Sequence, residues 1–471
     1  MRSIKLFAFS LAAALCSCGE ASAEPPVVPP TDDEPQLSDT ELLDRVQRDC
    51  MNYMWDGADP TSGLAYERIH LDGSYGGDDP LTITTGGSGF GVAGLLVGME
   101  RGWIQRSEGV ARLQKIVDYL EQADRYHGVW SHWMNGPTGK TVPFGKKDNG
   151  GDLVESAFLM QALLCARQYM NPAHPAEQSV VAGINRLWHA MEFDWYTRAL
   201  DPASPPSLPN REGAVAGAPK NVIYWHWSPD YKWEMNFPLE GYNECMIVYV
   251  LAAASPTHTV PNECYHEGWA RSGAIKSTAS PYGYPLDLKH NGAEAYGGPL
   301  FWAHYSWFGL CPKGLKDQYA DYWHVTANHA KANYAYCQAN PKKYKGYGPD
   351  CWGLTASYSP QGYAAHCPGD DRGVITPTAA LSSFPYTPDE SMAALRGFYG
   401  KGAFLWGKYG PYDAFSLSPT WTLPRYLAID QLTIAPMIEN YRSGLLWRLF
   451  MSCPEVQQGL AKLGFTYEGE Y

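Results

Sequence analysis

Ten stretches of the chain carry apolar residues at three- and four-residue spacing, and few segments alternate with period two. They fall at about residues 39–56, 89–101, 106–125, 152–170, 176–191, 240–254, 315–338, 389–404, 430–449 and 454–463. That rhythm predicts helices, so the expected fold class is all-α. No repeat of fixed period is legible, which argues against a solenoid. So many amphipathic helices in one domain predict a closed ring of helix hairpins, an (α/α)6 barrel. Its inner helices are buried, its outer helices are amphipathic, and every second loop gathers at one end. Long loops at about 126–150, 199–239, 276–300, 340–375 and 406–424 separate the helices and are rich in Gly, Pro, Trp and Tyr. A long loop inside a folded domain usually serves function.

The loops give the composition its meaning. Aromatic residues make up 14% of the chain, with 17 Trp and 32 Tyr, while charged residues reach only 18%. Trp and Tyr pair an apolar face with a polar handle, as sugar rings do. About half of them are expected in the core, given how deeply these residues usually sit. The net charge of −13, with no basic stripe, excludes a nucleic-acid partner.

Residues 1–18 read as a lipoprotein signal peptide. Arg2 and Lys5 precede an apolar run from Leu6 to Leu15, and Leu15-Cys16-Ser17-Cys18-Gly19 resembles a lipobox with Cys18 as the lipid-bearing residue. Residues 19–37 are Pro-rich and acidic and read as an extended tether. Residues 38–471 are then one catalytic domain, opened by Ser38 as a helix cap with Glu41 behind it. No later run is long and apolar enough to span a bilayer. The expectation is an exported monomer, held at the outer membrane of a bacterium through its lipid alone. The chain has 11 cysteines but no C-x-x-C and no short metal-ligand spacing. These spacings do not support a zinc site.

Gly89-Phe90-Gly91-Val92-Ala93-Gly94 matches a dinucleotide loop, but no acidic residue ends a second strand beyond it. Glycines that let two helices approach closely are the better reading. The stronger cluster is Asp148-Asn149-Gly150-Gly151-Asp152-Leu153-Val154-Glu155, three carboxylates at a loop-to-helix junction. Asp152 and Glu155 also fit a capping box, a purely structural role. The second cluster runs Tyr224-Trp225-His226-Trp227-Ser228-Pro229, then Trp233, then Gly241-Tyr242-Asn243-Glu244-Cys245. A carboxyl group among aromatic rings is desolvated and its pKa rises, as a general acid for glycoside cleavage requires. Glu244 is therefore the candidate acid, with a favourable helix-start position as its structural alternative. Further clusters hold Trp352, His366 and, near Tyr412, Asp413.

These strings resemble glycoside hydrolase family 144, the bacterial endo-β-1,2-glucanases, also described as glucoamylase-like. The matching runs include Gly151-Asp152-Leu153-Val154-Glu155, Tyr224-Trp225-His226-Trp227-Ser228-Pro229, Gly241-Tyr242-Asn243-Glu244-Cys245 and Cys351-Trp352-Gly353-Leu354-Thr355-Ala356-Ser357. The stretch 375–387 and the run Ile438-Glu439-Asn440-Tyr441-Arg442-Ser443-Gly444-Leu445-Leu446-Trp447 complete them. The resemblance covers about residues 40–465. It implies an (α/α)6 barrel that, with no metal and no cofactor, hydrolyses linear β-1,2-glucan, with inversion, to sophorose and short sophoro-oligosaccharides. The family's acidic positions fall on Asp148, Asp152, Glu155 and Glu244.

The expected catalytic set is Glu244 as acid, with Asp152 or Glu155 on the base or substrate-binding side. Asp148, Trp225, His226, Trp227, Trp233, Tyr242, Asn243, Trp352, His366 and Asp413 are expected to bind substrate, Asp413 being an outside candidate for the base. The Pro-rich segment 199–220 departs from the family pattern and leaves exo action, releasing sophorose, as an alternative. A non-catalytic glycan-binding lipoprotein and a polysaccharide lyase on the same barrel are the readings from other classes.

Overall fold

The computed structural model describes residues 37–76, 79–197 and 221–469. The expected signal peptide, the tether up to residue 36 and the whole of the segment 199–220 lie outside the described residues. The first helix, α1 (Asp39–Trp55), begins with the capping box that the sequence announces: Ser38 accepts from the Glu41 backbone, and Glu41 reaches back to Ser38. It buries one face through Leu42, Leu43, Val46, Cys50 and Met54. The next helix, α2 (Thr85–Glu100), is buried on every side up to Met99.

That alternation continues around the ring. Helices α3 (Arg106–Gln122) and α5 (Pro175–His189) bury one face, whereas α4 (Leu153–Tyr169) is buried through its first fourteen residues and α6 (Met246–Ala254) is buried throughout. Helices α7 (Tyr322–Ala339) and α9 (Pro388–Tyr399) flank the short, buried α8 (Pro377–Leu381). Helix α10 (Ala428–Arg442) is buried through Asn440 and closes the ring against α2. The last two, α11 (Leu445–Met451) and α12 (Pro454–Lys462), pack beneath α4 and α6.

The inner wall therefore runs α2, α4, α6, a short 3-10 turn at Leu300–Ala303 with the residues after it, α8 and α10. The 3-10 segment is fixed from both sides: Ser306 receives the Ile247 N–H of α6, and Tyr386 donates to the Ala303 carbonyl. This is the (α/α)6 barrel. Inner helices that are hydrophobic all round are what a closed inner ring requires. Strands are two to four residues long and pair mostly in twos along the loops.

Several boundaries differ from the periodicity. Helix α2 starts four residues before the expected 89 because Gly86 and Gly87 are helical. Gly89 lies against α4: a side-chain carbon there would stand 2.7 Å from the Leu159 backbone. The glycine motif is thus a helix–helix contact. The expected 430–449 helix breaks at Gly444, whose φ of 69° ends α10 and starts α11. Residues 240–245 form a turn ahead of α6. The nine cysteines from Cys50 to Cys453 are buried free thiols.

Candidate active site

Acidic residues sit at the N-terminal ends of three inner helices: Asp152 and Glu155 on α4, Glu244 just before α6, and Asp430 on α10. Asp152 closes a strand pair, Gly151–Asp152 against His226–Trp227, and caps α4. Its Oδ1 accepts the Val154 and Glu155 N–H groups, both at 3.0 Å. Its Oδ2 lies 2.9 Å from His132 Nδ1, and the Trp225 indole also bonds it. The side chain is completely buried. Burial alone would raise its pKa; the bonds from His132, Glu155 and Trp225 outweigh that and hold the carboxyl below its usual range.

His132 is the counter-charge. Burial disfavours its imidazolium, yet Glu155, Asp152 and Asp148 together push its pKa up to about 10. Phe144 stacks on the ring, with centroids 4.2 Å apart. Asp148 is buried behind this pair, with its Oδ1 2.9 Å from His226 Nε2.

Glu155 does not complete a capping box. Its carboxylate leaves α4 and accepts the Gly86 N–H of α2 at 2.8 Å. Burial pushes its pKa up to about 7; His132 pulls it down and Asp152 pushes it up further. The absence of a side chain at Gly86 makes this approach possible, since a Cβ there would overlap Glu155 Oε2.

Glu244 sits in the turn before α6. The turn is shaped by Asn243, whose Oδ1 accepts the Cys245 N–H at 3.0 Å. Tyr242 anchors it below, donating its hydroxyl to the Trp302 carbonyl at 3.1 Å, and Ser306 Oγ donates to the Glu244 carbonyl. Burial raises the Glu244 pKa to about 7, with the charges of Glu155 and Asp152 adding to the effect. At neutral pH about half of such groups carry a proton.

A second acid pair belongs to the far wall. Asp413 Oδ2 accepts the Tyr358 N–H at 2.8 Å, and Asp430, in the first turn of α10, accepts the Tyr305 hydroxyl at 3.0 Å. Their remaining oxygens, Asp413 Oδ1 and Asp430 Oδ2, have no other donor, and the two carboxyls bond each other. Two carboxyls in that contact share a proton. Burial raises Asp413 to about 7 and Asp430 well above its ordinary value. The Tyr305 and Tyr363 hydroxyls stand within the electrostatic reach of both Asp430 and Glu155 and so link the two walls.

The candidate residues thus separate. Asp148, Asp152, Glu155 and Glu244 form one set with His226. Trp225 and Trp227 keep part of their surface open, and Asn243 shapes the acid turn. Trp233, Tyr242, Trp352 and His366, expected to bind substrate, are all buried, and Trp352 donates its indole N–H to the Glu390 carbonyl. Burial takes His366 down to about 4, leaving it neutral. Both Asp152 oxygens are already engaged, Oδ1 by two backbone N–H groups and Oδ2 by His132. His132, Gly86, Tyr305 and Asp430 were not foreseen. The tryptophans around His132 (Trp130, Trp133) carry the same aromatic signal that marked Glu244.

One ligand atom each from His132, Asp148 and Asp152 lies within 4.8 Å of the others, close enough to hold a cation. The fit is poor, since His132 Nδ1 and Asp152 Oδ2 already satisfy each other. A cation would have to break that pair.

The family model described as Glycoamylase ("Putative glucoamylase") matches residues 236–454. An endo-β-1,2-glucanase from Chitinophaga pinensis, solved with sophorotriose and glucose, is 57% identical with a TM-score of 0.86; the match covers 92% of this chain and 99% of that one. A β-1,2-glucanase structure from Parabacteroides distasonis is 43% identical with a TM-score of 0.82, over 91% of this chain and 60% of that one. An exo-β-1,2-glucooligosaccharide sophorohydrolase (non-reducing end) from Parabacteroides distasonis is 45% identical over 444 residues, 91% of this chain. The chain spans 58% of the length of that curated relative.

Proposed function

The chain belongs to the β-1,2-glucanase family of glycoside hydrolases, and from that membership we propose that it hydrolyses linear β-1,2-glucan to sophorose and short sophoro-oligosaccharides, with inversion. The observation that carries this reading is the carboxyl of Glu244, raised to about 7 in a buried turn at the mouth of the barrel. A protonated carboxyl there can donate to the glycosidic oxygen as its bond to C1 breaks. A pure glycan-binding surface has no need of such a group.

Inversion also needs a base on the opposite face of the sugar. Glu244 feels Glu155 and Asp152 as its like-charged neighbours, so these three share one side. The Asp413–Asp430 pair is the candidate base: two carboxyls that share one proton keep one negative charge and can take up a second proton. In this reading a water attacks C1 and gives its proton to the pair. The C1–O bond breaks, and the leaving oxygen takes the proton of Glu244. Glu155 and Asp148 hold sugar hydroxyls, and Asp152 fixes Trp225 and His132 beside them.

Chromatography of products from a defined linear β-1,2-glucan tests the reading. A ladder of sophoro-oligosaccharides is expected. Sophorose alone from the outset favours the exo alternative, the activity named for the sophorohydrolase relative. Unsaturated products absorbing in the ultraviolet, or binding without any cleavage, would overturn hydrolysis.

Export and anchoring are part of the same proposal. The lipobox-like run at Cys18 and the Pro-rich stretch behind it support a lipoprotein whose domain works as a monomer a short distance from the outer membrane. Cys18→Ala is expected to release active protein from membranes; a variant that still sediments with them refutes the anchor.

A further inference from the structure

Two tyrosines on the 276–300 loop are exposed. Tyr282 and Tyr296 are 43% and 44% accessible, and their ring centroids lie 6.2 Å apart with planes 35° from parallel. Both stand on a third ring, Tyr336 of α7, which meets them nearly edge-on at 6.4 and 6.1 Å. Tyr336 is buried, and its hydroxyl donates to Asp371 at 3.0 Å. Asp371 is itself held by the Tyr347 hydroxyl at 2.7 Å and the Gly373 N–H at 3.0 Å. The pedestal is therefore fixed.

The backbone beneath Tyr282 is also unusual. Its φ is 52° and that of Gly283 is 85°. A bulky residue in the left-handed region is an outlier that folding alone disfavours, and such residues gather at ligand sites. Here the unfavourable conformation turns an apolar ring outward to water, which gains nothing for the core.

The same loop reaches the general acid. His290 packs its ring 4.9 Å from Tyr242, and Asn291 donates to the Glu240 carbonyl at 2.6 Å, within the segment that leads to Glu244. Tyr296 follows five residues later on this loop. Tyr336 lies in the last turn of α7, from which the chain runs through residues 340–376 to the N-terminal end of the inner helix α8.

We propose that Tyr282 and Tyr296 form a distal sugar platform, on the Glu244 side of the cleft, that stacks against pyranose rings of a long β-1,2-glucan chain. The proposal rests on the glucan reading above for its ligand. Flat rings with polar edges fit the alternating C–H faces and hydroxyl rims of pyranoses. A platform beyond the reacting units serves only substrates long enough to reach it.

The experiment compares Tyr282→Ala/Tyr296→Ala with the full-length wild type on long linear β-1,2-glucan and on a short sophoro-oligosaccharide of four or five units. The expected result is a KM for the polymer raised about five- to tenfold, the range of lost aromatic contacts. The kcat, and both constants for the short substrate, stay within twofold. Tyr282→Phe/Tyr296→Phe keeps the ring faces and is expected to restore polymer KM. A KM unchanged on the polymer, or a change of equal size on both substrates, overturns the platform, as does failure of the Phe pair to rescue. The glucan reading is separated by titrating the polymer into Glu244→Gln with and without the Ala pair. If the wild type cleaves no β-1,2-glucan but the Ala pair weakens polymer binding five- to tenfold, the hydrolase reading falls and the platform stands. If the Ala pair leaves polymer binding unchanged, the platform falls whatever the hydrolysis shows.

Discussion

The Glu155 carboxylate accepts the backbone N–H of Gly86 at 2.8 Å, so the first turns of α4 and α2 meet through one charge-assisted bond. Gly86→Ala tests that meeting. Alanine is the better helix former, so an isolated helix would gain up to about 1 kcal/mol. In the barrel the new carbon overlaps Glu155 Oε2 and lies 2.8 Å from its Cδ. The expected outcome is a net loss of about 1–3 kcal/mol in denaturant unfolding, with kcat reduced at least tenfold. Gly94→Ala is the control, since its nearest atom would be 3.9 Å away, and it is expected to be neutral or stabilising.

Glu244→Gln keeps the side-chain shape and removes the proton. A fall in kcat of about two to four orders of magnitude is expected, with little change in Tm. Near-normal turnover would remove Glu244 from the mechanism.

The pH dependence follows from the same groups. Glu155 and Glu244, both raised to about 7, bind protons more tightly folded than unfolded. Their share of stability is complete below about pH 4.5 and is lost as pH rises through about 7. Wild-type stability should therefore fall between pH 5 and 8.5, and Glu244→Gln should fall less over that window. Activity should decline over the upper part of it as Glu244 loses its proton. A wild type and variant with parallel stability profiles would contradict the buried-acid assignment.

Asp430→Asn removes the proton-sharing partner of Asp413. If the pair is the base, kcat should drop at least a hundredfold. NMR of the first product anomer tests stereochemistry independently: an α-anomer from the β-linked substrate is expected, and a β-anomer would exclude inversion.

Asp152→Asn preserves the helix cap but turns an NH2 group or a neutral oxygen toward His132 and Trp225. If Asp152 served only as a cap, the rate would stay nearly intact. As the hub of four donors, its loss should cost about 3 kcal/mol and lower the His132 pKa. Titration of the His132 ring by NMR checks this: a midpoint near 10 in the wild type should move down in the variant.

The helices were legible because their packing writes a period into the sequence. Helix α1 and helices α3 to α5 lie within three residues of the pattern at each end. The start of α2 was hidden because Gly86 and Gly87 look like loop residues until α4 is seen against the first and α10 against the second. The acid turn was legible from aromatic density around Glu244. Trp352 and Trp233 show the cost of that signal: the same residue types build cores. Asp430 offered no local cue, since its partners Asp413 and Tyr305 are 17 and 125 residues away in sequence. His132 was missed because its meaning comes from three carboxylates that folding brings to it.

Asp152, Glu155, Glu244 and Asp430 stand on the first turn of an inner helix or in the turn just before it, while Asp413 comes from the loop ahead of α10. The positions of the first four are set by helix packing and only weakly by the chain that links one hairpin to the next. Connections that carry no reacting group can lengthen, acquire new walls or lose them without moving these four. A lineage built this way can change how it grips a polymer, and from which end, while its bond-breaking apparatus stays as it was.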